Sequence, residues 1–310
     1  MSVHPQVAAL LERVQRSPLP PYHTVPAHVA RRIYRDTRAA LAPRAPEVQE
    51  VRLLVLDGRV AARLYRPAEG VLPALVYFHG GGWTIGDVDT HDVLCRQLAL
   101  GARCAVFSVD YRLAPEHPFP AAVEDCLFAV QHISRNHSAL KIDPARIAVG
   151  GDSAGGNLAT VVALHARDAG GPGLAFQLLI YPATDQRCEF PSHRKNGQGY
   201  LLTSEGIEFF SRCYLPDRRT LTDWRASPLL APSLAGLPPA LVLTAGYDPL
   251  LDEGRAYAER LQREGVAVQY REHADMVHGF LLFGGVLDTA NAAVAECSAA
   301  LARAFERVTA

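Results

Sequence analysis

A mostly parallel α/β sheet of about eight strands, with helices on both faces, is the fold class that the sequence predicts. Three observations carry that prediction. From about residue 74 to the C-terminus, short apolar runs alternate with helix-length amphipathic stretches, the pattern of successive β-α units. Two earlier runs, near 48–56 and 60–65, lie close enough to form a hairpin that feeds the sheet. The pentapeptide Gly151-Asp152-Ser153-Ala154-Gly155 stands between an apolar run and a helical one, so a serine sits at a strand-to-helix turn.

The elements follow in order. After the hairpin, strand-like runs lie near 74–79, 104–109, 146–150, 175–181, 240–245 and 266–272. Helical patterns separate them near 90–101, 120–137, 154–169 and 252–264, and a last one covers 287–307. In that last stretch Val294, Cys297, Leu301, Phe305 and Val308 recur at helical spacing, a core-facing stripe. Two regions stand outside the alternation. Residues 1–46 open with Val7, Leu10, Leu11 and Val14 on one helical face, broken by Pro18, Pro20, Pro21 and Pro26 before a second helical stretch near 27–40. Residues 183–227 interrupt the core between two strands, with Ile207, Phe210 and Tyr214 on one helical face, Phe209 and Cys213 beside it, and Pro216 as the stop. On the residues alone the two regions are either ordinary surface helices packed on the core or a cap above one sheet edge, and the length of the insertion favours the cap. The expected division is therefore a helical cap from 1–46 and 183–227 over a core from 47–182 and 228–310.

Bulk properties narrow the class. In 310 residues, 31 Lys and Arg face 32 Asp and Glu, so the net charge of −1 gives no reason to expect nucleic acid or an acidic membrane as partner. A hydrophobic share of 49% suits a globular chain with a full core. The six cysteines contain no C-x-x-C pair, which reads as reduced, mostly buried thiols with no zinc site. Residues 1–20 lack the basic and apolar segments of a signal peptide, and no apolar run reaches the length of a membrane span. A cytoplasmic chain is expected, acting as monomer or homodimer.

A serine hydroxyl becomes a useful nucleophile only with a base, an orienting acid and donors for the developing oxyanion. His278, in Asp275-Met276-Val277-His278-Gly279-Phe280, follows the strand-like run near 266–272 and is the candidate base. Asp248, just past the run at 240–245, is the candidate acid; Asp252 competes for the role but reads as the start of the next helix. All three stand at carboxyl ends of strands, the edge where open α/β sheets place their sites. His79-Gly80-Gly81-Gly82-Trp83 follows another buried strand, and its glycines let backbone N–H groups turn toward a substrate oxygen. Each feature has an ordinary alternative: a Gly-rich turn, one of 12 histidines, an Asp-Pro turn, a flexible linker. The His79 ring reads as a brace for the loop. Trp83, Ile207 and Phe210 are candidates for the substrate pocket.

Together these motifs resemble the hormone-sensitive-lipase-like branch of the α/β-hydrolases, the bacterial family IV esterases. The shared segments are the His79–Trp83 run, Asp110-Tyr111-Arg112-Leu113-Ala114-Pro115-Glu116, the run from Gly151 to Asn157, Asp248-Pro249-Leu250 and His278-Gly279-Phe280, in the family's order. The resemblance implies an α/β-hydrolase fold with a helical cap and a serine carboxylesterase acting on short- to medium-chain esters. It implies Ser153, Asp248 and His278 as triad, the N–H groups of Gly81, Gly82 and Ala154 as oxyanion hole with Gly80 as a substitute, and no cofactor or metal. Asp275 stands where the family usually has glycine, and Asp tolerates positive φ if the loop requires it. Amide hydrolysis by the same triad, acyl transfer, and a non-catalytic small-molecule receptor on this fold are the alternatives; the receptors that resemble this family lack the catalytic histidine.

Overall fold

The computed structural model describes residues 2–308. Eight strands form one sheet: β1 (Glu50–Leu56), β2 (Val60–Arg66), β3 (Leu72–Phe78), β4 (Ala105–Asp110), β5 (Ile142–Asp152), β6 (Phe176–Ile180), β7 (Ala240–Tyr247) and β8 (Val268–Val277). Their spatial order is β1-β2-β4-β3-β5-β6-β7-β8. β1, β2 and β4 pair antiparallel; every later pairing is parallel. The helices are α1 (Pro5–Gln15), α2 (Ala27–Leu41), α3 (Asp92–Ala102), α4 (Ala121–Arg135), α5 (Ala154–Asp168), α6 (Pro191–Lys195), α7 (Ser204–Tyr214), α8 (Leu251–Arg263) and α9 (Asp288–Arg307).

Strand side chains alternate between two separate cores, as a sheet covered on both faces requires. Val76, Phe78, Val149 and Val242 pack with α4, α5 and α8. Leu75, Tyr77, Ala148 and Leu241 face the other way, onto Leu94 and Leu98 of α3 and Val294, Cys297, Leu301 and Phe305 of α9. The stripe read from the last helix is therefore core, except Val308, which is 45% exposed beyond its end.

The two segments outside the alternation come together. Ala30 and Tyr34 of α2 share a third cluster with Phe210 of α7 and with Ile85, which follows the glycine loop. Arg31 ties α2 down: its Nε donates to the Thr84 carbonyl at 2.8 Å, and Nη2 to the Ala114 carbonyl at 2.9 Å. In α1, Val7 and Leu10 are buried and Leu11 packs half-buried against the same core, but Val14 is 47% exposed, so three of the four residues read on the apolar face serve packing.

One stretch differs from its reading. β8 continues through Val277 instead of ending near 272, because Tyr247 at the end of β7 still pairs with Val277 across an irregularity in the register. Asp275 is therefore strand, its φ is not positive, and its carbonyl accepts the His4 N–H at 3.0 Å. The allowance made for a left-handed aspartate was unnecessary.

Candidate active site

The parallel strands end on one edge, and the side chains of interest sit just past those ends. β5 runs to Asp152 and α5 starts at Ala154, leaving Ser153 alone in the turn with φ 55° and ψ −117°. That left-handed conformation is costly for a residue with a Cβ and needs tight support. The Ser153 N–H donates to the Ile180 carbonyl at 2.9 Å, and its carbonyl accepts from Ala183 at 3.2 Å. Helix and strand pass so close that a Cβ on Gly155 would collide with the Phe78 carbonyl, so glycine is required there.

His278 directly follows β8 and Asp248 directly follows β7. His278 Nε2 lies 2.9 Å from Ser153 Oγ, and His278 Nδ1 lies 2.7 Å from Asp248 Oδ2. Asp248 is fully buried; its second oxygen accepts the Leu250 N–H at 2.8 Å, and Asn196 Nδ2 holds its carbonyl at 3.0 Å. The Tyr181 ring packs 4.9 Å from the His278 ring, centroid to centroid. The rival Asp252 lies in the first turn of α8 and accepts the Ser192 N–H at 2.8 Å instead.

The glycine loop has three consecutive positive φ values, 122° at Gly81, 57° at Gly82 and 55° at Trp83. A Cβ on Gly82 would fall onto the Phe210 ring, so the loop and α7 touch backbone to side chain. Among the described residues the amides of Gly81, Gly82 and Ala154 donate to no backbone or side-chain acceptor. Gly80 is different: its amide donates to Asp152 Oδ1 at 2.9 Å, which removes it as a substitute donor.

Asp152 is the hub that braces the loop. It is buried and accepts from the Tyr77 hydroxyl at 2.8 Å, while His91 Nε2 lies 3.1 Å from Oδ1. Burial opposes its charge, but His91 and Tyr77 hold its carboxyl below the usual range. His79 stacks on Tyr111 at 4.2 Å and lies 2.9 Å from the Gly80 carbonyl through Nδ1. Burial, reinforced by His91, pushes its imidazole down to about 4, so it is a neutral brace.

Ser153, His278, Gly81, Gly82 and Ala154 all border one cavity of about 610 Å³. Leu10, Val14, Ile207, Phe210 and Trp83 border it too. Tyr214 and Phe209 do not: Tyr214 is buried against Trp83, rings parallel at 4.3 Å, and Phe209 packs against Phe210. Trp83 thus both stacks in the core and closes one wall.

Other cavity residues carry no sequence signal. Arg38 and Tyr34 reach it from α2. A buried pair, His193 Nε2 and Glu253 Oε2 at 2.6 Å, stands in the wall, with Glu253 Oε1 also accepting the Thr184 N–H at 2.6 Å. Against the cost of burial, Cys188 and Glu253 push the His193 imidazole up to about 10, so it is a cation. His193 lies in α6 and Glu253 in the first turn of α8, so only the fold brings together two groups 60 residues apart. Among the described residues no group of three or more His, Cys, Asp and Glu is arranged to hold a metal ion, and no helix is long and apolar enough to cross a membrane.

A mostly parallel sheet of this strand order, with a left-handed serine between β5 and α5, defines an α/β-hydrolase. The chain belongs to the family described as the alpha/beta hydrolase fold, which it matches over residues 75–282, in the hormone-sensitive-lipase-like branch of that family. It is 48% identical over 260 residues to carboxylic ester hydrolase LipN of Mycobacterium tuberculosis, covering 79% of this chain and 68% of that protein. It is 39% identical to ethyl acetate hydrolase of Pseudomonas putida, covering 94% and 96% of the two chains. A crystal structure of an α/β-hydrolase enzyme from the metagenome of Lake Arreo superposes with a TM-score of 0.94 at 44% identity, covering 98% of this chain and 99% of that one.

Proposed function

We propose that Ser153, His278 and Asp248 cleave carboxylic esters through an acyl-enzyme, with the amides of Gly81, Gly82 and Ala154 as the oxyanion hole. The protein is a carboxylic ester hydrolase, in line with the names of its relatives; those names do not favour the amidase and receptor alternatives. The observation that carries the residue assignment is the unbroken chain from Ser153 Oγ through His278, 2.9 Å and 2.7 Å, to the buried Asp248 carboxylate, with Ser153 and His278 bordering the cavity.

In this mechanism His278 Nε2 takes the Ser153 proton as Oγ attacks the ester carbonyl. The carbonyl oxygen gains the negative charge and is met by the three free amides; α5 adds the positive end of its dipole. His278 then protonates the leaving alcohol as the C–O bond breaks. A water gives its proton to His278, attacks the acyl carbon, and the carboxylic acid leaves as Ser153 recovers its proton. Asp248 keeps the Nδ1–H tautomer and stabilises the transient imidazolium.

Segments 1–46 and 183–227 form the cap in this reading, and 47–182 with 228–310 the catalytic core. The cap walls, with Leu10, Ile207 and Phe210, limit the cavity to about 610 Å³, which favours small soluble esters with acyl chains of about four to eight carbons. Each added methylene contributes up to roughly 0.8 kcal/mol until the walls are reached.

The test is a phosphonate ester followed by peptide mass mapping, alongside Ser153→Ala. The adduct is expected on Ser153, and the alanine variant is expected to fold and to lose hydrolysis. An adduct on another serine, or an active alanine variant, ends the assignment.

A further inference from the structure

Arg38 is a cation without a counter-ion in the wall of the active-site cavity. Of the other arginines on α2, Arg31 pairs with Glu116 and Arg35 with Asp87, and Arg32 is exposed to solvent. Among the described residues no carboxylate lies within ion-pair distance of Arg38. Instead its guanidinium stacks over the Tyr34 ring at 4.4 Å and the Phe283 ring at 4.5 Å. Its Nε is buried with no hydrogen-bond partner. Tyr34 is no substitute anion, because burial pushes its hydroxyl up to about 12 despite the neighbouring Arg38.

The cavity's own acids are accounted for elsewhere. Asp152 is bound by Tyr77, Gly80 and His91; Asp185 pairs with Arg187 at 2.7 Å; Glu253 pairs with His193. Asp36 and Arg13, both exposed, also border the cavity. That leaves Arg38 as the inner charge that nothing compensates. A guanidinium is always protonated, and a desolvated cation without a partner is unfavourable, so ring stacking offsets only part of the cost. Stacking uses the guanidinium faces; in its plane the guanidinium interacts with the neutral Tyr34 hydroxyl, while Nε has no partner, so its fork has no carboxylate to fit.

Position points the same way. Arg38 Nη2 would lie 3.8 Å from a methyl placed on Gly279, the residue after His278. A group held by Arg38 therefore sits beside the His278 turn, within the cavity that Ser153 borders.

We infer that Arg38 is a substrate-recognition residue and that the cavity takes esters carrying a carboxylate, such as half-esters of dicarboxylic acids. This rests on the esterase reading and deepens it. Arg38 would hold the free carboxylate while Ser153 attacks the ester carbonyl of the same molecule.

The experiment compares kcat/KM for matched anionic and neutral esters. Monoethyl adipate against ethyl hexanoate probes a carboxylate on the acyl side; carboxymethyl butyrate against propyl butyrate probes the alcohol side. Wild type is expected to favour the anionic member of at least one pair, and added salt is expected to shrink that ratio. Arg38→Met is expected to lower the same ratio about tenfold or more, and Arg38→Lys to restore part of it. If both members of each pair fall together in Arg38→Met, the residue is a rivet between α2 and Phe283 and the inference is overturned. If Arg38→Met does not fold, the wild-type ratio and its salt dependence decide: a salt-insensitive preference for neutral esters in both pairs overturns it. Hydrolysis of the neutral esters reports the esterase reading separately, so the two fail independently.

Discussion

Replacing Asp248 by asparagine removes one charge and turns one acceptor into a donor, in a site where both oxygens are used. Oδ2 faces His278 Nδ1 at 2.7 Å and Oδ1 accepts the Leu250 N–H at 2.8 Å. An asparagine must choose. With its NH2 toward His278, Nδ1 has to accept, the ring proton moves to Nε2, and the nitrogen facing Ser153 can no longer take a proton. With its carbonyl toward His278, the NH2 faces the Leu250 N–H, and two buried donors oppose each other at a cost of about 1–3 kcal/mol. That orientation is populated roughly ten- to hundredfold less, and it also lacks the negative charge that stabilises the imidazolium. The wrong tautomer in the serine-protease precedent costs about 10⁴-fold, or about 5.5 kcal/mol. The expected fall in kcat/KM on p-nitrophenyl butyrate is therefore about 10²- to 10⁴-fold, with the unfolding midpoint checked by circular dichroism. Asp252→Asn, whose carboxylate serves Ser192 and not His278, is expected to change the rate about twofold at most. A fall of less than tenfold in Asp248→Asn, or a larger fall in Asp252→Asn, refutes the reasoning.

Three further outcomes follow. Gly82→Ala puts a Cβ into the Phe210 ring at a residue with φ 57°, so the loop must move; a fall in kcat of about 10²- to 10³-fold is expected, and an unchanged kcat would remove Gly82 from the oxyanion hole. Phe210→Ala enlarges the cavity wall, so the best acyl chain in a p-nitrophenyl ester series should lengthen; an unchanged profile would show that Phe210 does not limit the pocket. His193 is raised from 6.5 to about 10 in the fold, while burial pushes the Glu253 carboxyl up, so once Glu253 is ionised their ion pair contributes stability fully up to pH 6.5 and loses it as pH rises through about 10. The gap in unfolding midpoint between wild type and Glu253→Gln should thus be wide at pH 6 and narrow at pH 10; a constant gap would contradict the charged pair.

Much of this protein follows from short-range chemistry. Apolar runs of strand length, helical stripes and turn residues act over a few positions, so strands, helices and the serine turn between β5 and α5 were legible from the chain alone. The order Ser153, Asp248, His278 also named three strand ends on one edge, because parallel strands joined by helices all finish on the same side. Tertiary structure decided what depends on distant partners. β8 reaches Val277 because β7 extends beside it to Tyr247, which no local pattern in Asp275-Met276-Val277 announces. The Gly80 amide differs from those of Gly81 and Gly82 only because Asp152, 72 residues away, accepts it. Tyr214 matched the apolar face of α7 yet turned to Trp83 and away from the cavity, a choice of packing and not of periodicity. No motif or periodicity singles out Arg38, and its meaning lies in what the fold withholds from it. Short-range propensity specifies which elements form, whereas the compensation of each buried amide or charge is settled by the groups that folding brings to it.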